Sequence, residues 1–402
     1  MGMLSRRLMF ILFMTWTFVD VVNGVALKEL ELDIGVSQFY KALMILLCVC
    51  FLTFQRLVIV FAMAVVAVVM LCVQYFGGYG VKESAVWVGR AFGIVVFFMY
   101  FKSEHSRSAD EVLKFIFVFC IISLLVAYAN VLLGWFGYGR SQYGDGVGGT
   151  GYIYAGNELT LLILCCQLVI LSILFFGGSN KAVWLLYAVF LAFSVLKSTK
   201  TSMLMMFIIG AVFALLSVFR ARELKRLLVL SPVVLMSLLG GWYLAVNYGL
   251  FDRFSYFYER LDFWTFIFSG RNILAADALD YIGRNHGLLE WFFGVGVDRL
   301  KEVVGGQVEI DPIDVFLSFG VMGVVVFYGF FFLRFLLVFR NLLGVRRSRI
   351  DVLELSTLIS LLFVSVFAGH VVNSGIAAVF IAVVFVCFDL LKVQEHESRS
   401  RF

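Results

Sequence analysis

The sequence predicts an all-α polytopic membrane protein, and three observations lead to that fold class. Of the 402 residues, 62% are hydrophobic and only 15% are charged, and the mean hydropathy is +0.99. Soluble domains contain about half apolar residues and roughly a quarter charged ones. The apolar residues form continuous runs, whereas the strands of a β-barrel would alternate apolar and polar residues. The net charge of +5 is too small for a nucleic-acid footprint, so we expect no nucleic-acid partner.

The membrane spans follow from the apolar runs, since one span needs about 20 mostly apolar residues. The sequence contains twelve such runs, at 8–27, 40–54, 57–76, 84–101, 112–136, 152–176, 182–196, 201–219, 227–251, 313–340, 353–372 and 374–391. We expect the first run to be a retained span, because no convincing signal cleavage site follows it. The chain therefore divides into spans one to nine (1–251), a long loop (252–312), and spans ten to twelve with a tail (313–402).

The distribution of Lys and Arg predicts how the spans are oriented. Cytoplasmic loops carry an excess of these residues. With the N-terminus inside, the inner segments hold seventeen Lys and Arg residues and the short outer loops hold six. An even number of spans then places both termini in the cytoplasm and the long loop outside.

The long external loop at 252–312 does not have the composition of a simple linker. The stretch RFSYFYERLDFWTFIF (253–268) is aromatic and amphipathic, which is typical of a helix at a membrane interface. The stretch RNILAADALDYIGR (271–284) predicts a short amphipathic helix. A long ordered loop in a compact protein is usually functional, although a plain connector is the alternative.

Polar side chains in or beside the spans concentrate at one side of the predicted membrane. Ionisable groups inside a span are costly and usually functional. By the predicted orientation, the most informative polar residues all face one external cavity. They are Tyr154, Asn157, Glu158, Lys197, Lys200, Thr201, Glu309, Asp311, Asp314, His370 and Asn373, with Arg253, Arg260, Arg271 and Arg284 from the loop.

Such a cavity suits chemistry on a lipid-linked anion. Arg and Lys would neutralise a diphosphate as it leaves, and a carboxylate or His would take a proton from an attacking hydroxyl. Each residue also has a structural alternative. Lys197 and Lys200 could extend to lipid headgroups, and Asp311 or Asp314 could cap span ten. Glu158 could form an ion pair with a loop Arg, and His370 could be a structural hydrogen-bonding residue.

Six short segments, in order, resemble a known family. They are GTGYIYAGNELT (149–160), STKTSMLM (198–205), SGR (269–271), FGVG (293–296), EIDPIDVFLSFGVMG (309–323) and AGH (368–370). Together they resemble the bacterial O-antigen and capsular polysaccharide polymerases, the Wzy family, and the related O-antigen ligases. The resemblance covers roughly residues 130–391, and the N-terminal 120 residues are only generically similar.

The resemblance implies a helical, GT-C-like membrane fold in the bacterial inner membrane with its active site facing the periplasm. Polymerases of this kind transfer a growing glycan from undecaprenyl diphosphate to the non-reducing end of a lipid-linked repeat unit. The ligases transfer it to the lipid A core. They typically carry a His-Asn motif where this chain has EIDPID, which favours a polymerase.

The resemblance also implies roles for individual residues. Arg271 and Lys200 would contact the diphosphate, and loop arginines such as Arg253 and Arg260 would bind substrate. The candidates for the general base or for acceptor binding are Glu158, Glu309, Asp311, Asp314 and His370, with Tyr154 and Asn157 beside Glu158.

The expected partners are undecaprenyl-diphosphate-linked oligosaccharides, membrane lipids and, from the family, a chain-length regulator. We expect no cofactor and no metal, because the family transfers glycans without one. The oxygen-rich Glu309, Asp311 and Asp314 could nevertheless hold a divalent cation. The alternative of a different class is a flippase for the same lipid, which should show internal repeats and polar groups near the midplane; the sequence shows no such repeat.

Overall fold

The computed structural model describes residues 3–103, 108–141, 149–197, 199–218, 262–268, 270–285, 287–344 and 348–400. The helices in these ranges are α1 (Met3–Met14), α2 (Trp16–Glu29), α3 (Val36–Cys50), α4 (Phe54–Phe76), α5 (Lys82–Ser103), α6 (Ala109–Trp135), α7 (Gly156–Phe176), α8 (Asn180–Lys197), α9 (Lys200–Val218), α10 (Phe263–Phe268), α11 (Arg271–Asn285), α12 (Leu288–Phe293), α13 (Val297–Val304), α14 (Asp311–Leu343), α15 (Arg349–Phe367) and α16 (Ala378–Ser400). A short antiparallel hairpin pairs β1 (Arg140–Ser141) with β2 (Gly149–Gly151).

The structure confirms an all-α polytopic membrane protein. Eight of the described helices are long and apolar enough to cross a membrane, or nine if the bent pair α1 and α2 forms one span. The predicted count of twelve is not confirmed. The predicted span at 227–251 lies outside the described residues, and α3 is shorter than the other spans.

Two predicted spans differ from the helices that form. The first is not a single straight helix, because α1 and α2 meet at an angle of 47°. Thr15 stands at the bend, and its hydroxyl lies 3.0 Å from the Leu12 carbonyl and 2.9 Å from the Tyr40 hydroxyl. A side-chain oxygen that enters the helical ladder in this way bends a helix. Span six begins only at Gly156, so Tyr154 precedes the helix instead of sharing a helical face with Glu158.

The last helix lies in the middle of the bundle. Its residues Val379, Phe380, Phe385 and Cys387 are all fully buried, and it packs against α5, α6 and α7. A helix that is apolar on every side is stable when other helices surround it. By contrast, α4 leaves Phe61 70% exposed, as expected of a helix that faces lipid.

The described part of the segment between α9 and α14 contains short helices, and α11 confirms the helix predicted at 271–284. Its FGVG motif packs against a break in α14 at Gly320, where φ is 63°. The break leaves the carbonyls of Leu317 and Ser318 without helical partners, and the N–H groups of Val295 and Gly296 donate to them at 3.2 and 2.9 Å. A Cβ at Gly320 would lie 2.3 Å from the Phe292 backbone, so only glycine fits this contact.

A largely buried network of ion pairs joins α5, α14, α15 and α16. Arg334 on α14 donates to Glu354 on α15 and to Asp389 on α16. Lys392 reaches the same Glu354 at 2.7 Å, and Lys102 on α5 contacts Asp389 at 2.9 Å. This network was not predicted, because the polar residues singled out from the sequence lie at the outer ends of the spans and in the long loop.

Arg334→Ala is expected to destabilise the protein by about 3–5 kcal/mol, because it leaves the fully buried Glu354 short of one of its cations. The measurement is unfolding of the purified protein in detergent. The matched control is Arg340→Ala on the same helix, where the side chain is exposed and little change is expected. Equal stability of the two variants would show that the network contributes nothing measurable.

Candidate active site

A polar cavity of about 510 Å³ lies where five parts of the chain meet. Its wall is formed by the hairpin, the start of α7, the start of α11, the segment before α14 and the turn after α15. The lining residues are Arg140, Thr150, Tyr154, Ala155, Gly156, Asn157, Glu158, Arg271, Glu309 and His370. Six of the residues predicted for an external cavity are therefore brought together, from positions that are more than 200 residues apart in the chain.

Two of the backbone segments that line this polar cavity contain a non-glycine residue in the left-handed conformation. Glu309 has φ 60° and His370 has φ 61°, although neither is glycine. Between α15 and His370, Gly369 has φ 66°, and a Cβ there would lie 2.7 Å from the Glu309 carbonyl oxygen. Strained backbone of this kind persists where the surrounding structure holds it, which is most often at functional sites.

Asp311 holds one of these segments in place. Its Oδ1 accepts from the His370 N–H at 2.6 Å, and its Oδ2 accepts from the Val371 N–H at 2.7 Å and the Ser365 hydroxyl at 3.0 Å. The side chain is 1% exposed and does not line the cavity. Asp311 therefore positions the backbone that presents His370.

Asp314 holds the other segment in the same way. Its Oδ1 accepts from the Val308 N–H at 2.9 Å and its Oδ2 from the Glu309 N–H at 2.8 Å. Like Asp311 it is 1% exposed and lies outside the cavity lining. Neither aspartate caps α14, whose N-cap residue is Ile310 without a side-chain hydrogen bond; each instead bonds a separate backbone segment.

Asp311→Asn and Asp314→Asn are expected to lower stability by about 1–3 kcal/mol each, because both oxygens of each carboxylate accept N–H groups. An amide would point its own NH2 at one of those donors, whichever way it is turned. Unfolding in detergent and the amount of folded protein in membranes measure the effect. Variants as stable as wild type would show that these contacts do not hold the two segments.

Arg271 and Asn157 donate hydrogen bonds to carbonyls at the C-terminal end of α15. The Arg271 guanidinium donates to the Phe367 carbonyl at 2.6 Å and, through Nε, to Glu309 at 3.1 Å. The Asn157 amide donates to the Ala368 carbonyl at 2.9 Å. The last carbonyls of a helix lack hydrogen-bond donors within the helix, and these two side chains donate to them. These contacts fix Arg271 at the cavity wall, where it forms an ion pair with Glu309.

Glu158 has one oxygen engaged and one available. Oε2 accepts from the Ser374 hydroxyl at 2.7 Å and from the Ile376 N–H at 3.0 Å. Oε1 has no hydrogen-bond partner in the described part of the chain and is not enclosed. The His370 ring on the same cavity wall likewise has no hydrogen bond within the described ranges. Glu158 and His370 can therefore exchange a proton with a ligand, and so can Glu309, because the described residues contact only its Oε2.

A second cavity of about 630 Å³ lies between α2, α3 and α5. We call it the amphipathic cavity, because apolar residues such as Phe39, Ile45 and Phe97 form much of its wall beside a few charged groups. Those charges are Arg90 on α5, the ion pair of Asp20 with Lys41 at 2.5 Å, and Glu158. The two cavities share Tyr154, Ala155 and Glu158, so they meet at the free carboxylate.

Several charged residues in the two cavities were missed from the sequence. Arg140 stacks on the Tyr154 ring at 5.0 Å in the polar cavity. In the sequence it is one of the six cations of the short outer loops, and nothing there indicates a role in a site. Arg90 lies well inside the predicted span 84–101, and the high cost of a charge there could have identified it. Asp20 and Lys41 needed the tertiary structure, because nothing in their spacing pairs them.

Other predicted residues lie elsewhere. Arg284 pairs with Asp280 on an exposed face of α11, outside both cavities. Lys197 is 1% exposed, so it does not extend to headgroups, and its amine has no hydrogen-bond partner among the described residues. Lys200 is exposed and close enough to Arg271 for their charges to repel. Arg253 and Arg260 lie outside the described residues.

The three carboxylates considered for a divalent cation have different partners. Glu309 contacts Arg271, whereas Asp311 and Asp314 bond backbone N–H groups. In the described ranges, no group of three His, Cys, Asp or Glu side chains is arranged to hold a metal ion.

Comparison of the chain with protein-family models, with curated proteins and with solved structures finds no match.

Proposed function

We propose that this protein is a polysaccharide polymerase of the Wzy type. It transfers a growing O-antigen or capsule glycan from undecaprenyl diphosphate to the non-reducing end of a lipid-linked repeat unit. The observation that carries this proposal is the meeting of a polar cavity with an amphipathic one at the free carboxylate of Glu158. Sugars suit the first cavity, and a lipid bearing a phosphate suits the second.

The reaction joins an acceptor hydroxyl to the anomeric carbon of the donor glycan. As the new C–O bond forms, the bond from that carbon to the diphosphate oxygen breaks, and the diphosphate leaves with the electron pair. Oε1 of Glu158 takes the hydroxyl proton, and His370 on the same wall is the second group that can do so. Arg271 and Arg140 neutralise the negative charge that develops on the leaving group.

The cellular setting is part of the same proposal. The bias of seventeen inner against six outer cations supports a bacterial inner-membrane protein whose cavities face the periplasm. We place the helices in a GT-C-like arrangement of twelve spans, with a chain-length regulator as a partner. The placement of EIDPID at the start of α14 supports a polymerase over a ligase. Its two aspartates accept hydrogen bonds from backbone N–H groups.

The decisive test uses the purified full-length chain in detergent with synthetic undecaprenyl-diphosphate-linked repeat units. We expect a ladder of longer products and release of undecaprenyl diphosphate. A flippase would leave the substrates unchanged, because detergent has no two sides. Products that appear only when lipid A core is added would identify a ligase instead.

A further inference from the structure

Arg90 in the amphipathic cavity has far fewer partners than its chemistry allows. A guanidinium carries five N–H donors. The described part of the chain supplies Arg90 with one long hydrogen bond, of 3.4 Å to the Asn373 carbonyl, and with no salt bridge. Glu158 attracts it across the cavity without forming an ion pair. Most of the donors of Arg90 are thus available to a ligand that enters the cavity.

The other charges of this cavity largely neutralise each other. Lys41 pairs with Asp20 through Oδ1, which also accepts from the Ser37 hydroxyl. The second oxygen of Asp20 is buried and has no partner within the described residues. Because Lys41 already has its carboxylate, Arg90 is the cation that can hold an anion.

The apolar wall of the cavity continues to the outer surface of the bundle. Leu27 on α2 and Phe39 on α3 line the cavity and are 38% and 73% exposed. Deeper inside, Ile45 and Phe97 extend the apolar wall. An anion that carries a long hydrocarbon chain would match both the cation and this wall.

We propose that the amphipathic cavity binds the phosphate end of a polyprenyl diphosphate, with Arg90 as its anion ligand and the first isoprene units along the apolar wall. The inference rests on the proposed function, which requires two lipid-linked substrates to be held at the same time. Their reacting ends then meet at Glu158, where the two cavities join. The sugars occupy the polar cavity, and Arg271 and Arg140 reach the same diphosphate from that side.

Substitution of one glycine can fill the cavity without displacing the helices around it. Gly89 on α5 lines the cavity, and a Cβ there has no atom within 4 Å. Gly89→Leu therefore places a side chain in the ligand space while removing a helix-interior glycine. The matched control is Gly329→Leu on α14, which also has open space around its Cβ and lines neither cavity.

The experiment measures the affinity of sugar-free undecaprenyl diphosphate for the purified full chain in detergent. We expect Gly89→Leu and Arg90→Gln to bind it about tenfold to hundredfold more weakly than wild type, as loss of contacts to a charged group predicts. Gly329→Leu should bind like wild type. Inorganic pyrophosphate and undecaprenol should both compete poorly, because each offers only one of the two recognised features. Thermal unfolding confirms that each variant is folded.

Unchanged affinity in both Gly89→Leu and Arg90→Gln would overturn this site. If phosphatidylglycerol competed as well as undecaprenyl diphosphate, the cavity would be a general phospholipid site and the isoprenoid assignment would be wrong. If only Arg271→Ala weakened binding, the diphosphate would lie in the polar cavity, and the polymerase proposal would be unaffected. If repeat units were not elongated yet binding still needed Gly89 and Arg90, the lipid site would stand and the polymerase would fail.

Discussion

Glu158→Gln is expected to lower polymerisation turnover by about 10²–10⁴-fold, the usual cost of removing one well-placed general base, with little loss of stability. Among the described residues, Glu158 accepts hydrogen bonds through Oε2 alone, from Ser374 and Ile376. The carbonyl oxygen of a glutamine can keep both of these contacts. Its NH2 then replaces Oε1, the oxygen that faces the cavities, and this group cannot take a proton from a hydroxyl.

The control for this prediction is built into the chain. Asp311→Asn and Asp314→Asn make the same carboxylate-to-amide change, but both oxygens of each aspartate are engaged. We therefore expect those variants to lose stability first, and Glu158→Gln to lose turnover first. Turnover is measured with synthetic lipid-linked repeat units, and stability by unfolding in detergent. Normal turnover in a folded Glu158→Gln protein would remove Glu158 as the base and leave His370 in that role.

Arg271→Lys is expected to damage activity nearly as much as Arg271→Ala, with turnover reduced by about 10²–10³-fold in both. The guanidinium contacts the Phe367 carbonyl and Glu309 with different nitrogens. An ammonium is a point charge on a flexible chain and cannot reproduce that planar geometry. The charge survives in the lysine variant, but its position at the cavity wall does not.

Arg284→Ala is the matched control for Arg271, because both residues lie on α11. Arg284 is 75% exposed, and its ion pair in the described part of the chain is with Asp280 on its own helix. Exposed pairs of this kind contribute about 0–1 kcal/mol, so near-normal ladder length is expected at matched protein levels. Lys200→Arg should keep partial activity, since a point charge near the diphosphate is more easily replaced. Full-length ladders from Arg271→Ala cells would remove Arg271 from the site.

Arg271 also shows why a loss of activity must be read together with stability. It contacts the end of α15 and Glu309, so its removal could loosen the turn that presents His370. If Arg271→Ala lost stability in the same measure as Asp311→Asn, its role would be to position His370. A stable but inactive variant would instead support direct contact with the diphosphate.

Composition and hydropathy determined the fold class without help from the structure. A chain with 62% hydrophobic residues must hide most of its surface in lipid, and only helices satisfy their backbone groups locally within each apolar run. The ends of the runs also placed Glu158 and His370 on the same side as the long loop that carries Arg271 and Glu309. Span ends that share a side of the membrane are forced into the same layer, so this grouping needs no knowledge of helix packing.

The tertiary structure alone decided which of these groups are free. A carboxylate looks the same in sequence whether water, a cation or a backbone N–H surrounds it. Asp311 is satisfied by residues 365, 370 and 371, and this contact exists only because α14 packs beside α15. The amphipathic cavity has the same origin, since α2, α3 and α5 surround Arg90 without filling the space beside it. Local pattern can place a charge at a membrane depth, but only packing decides whether that charge is already paired.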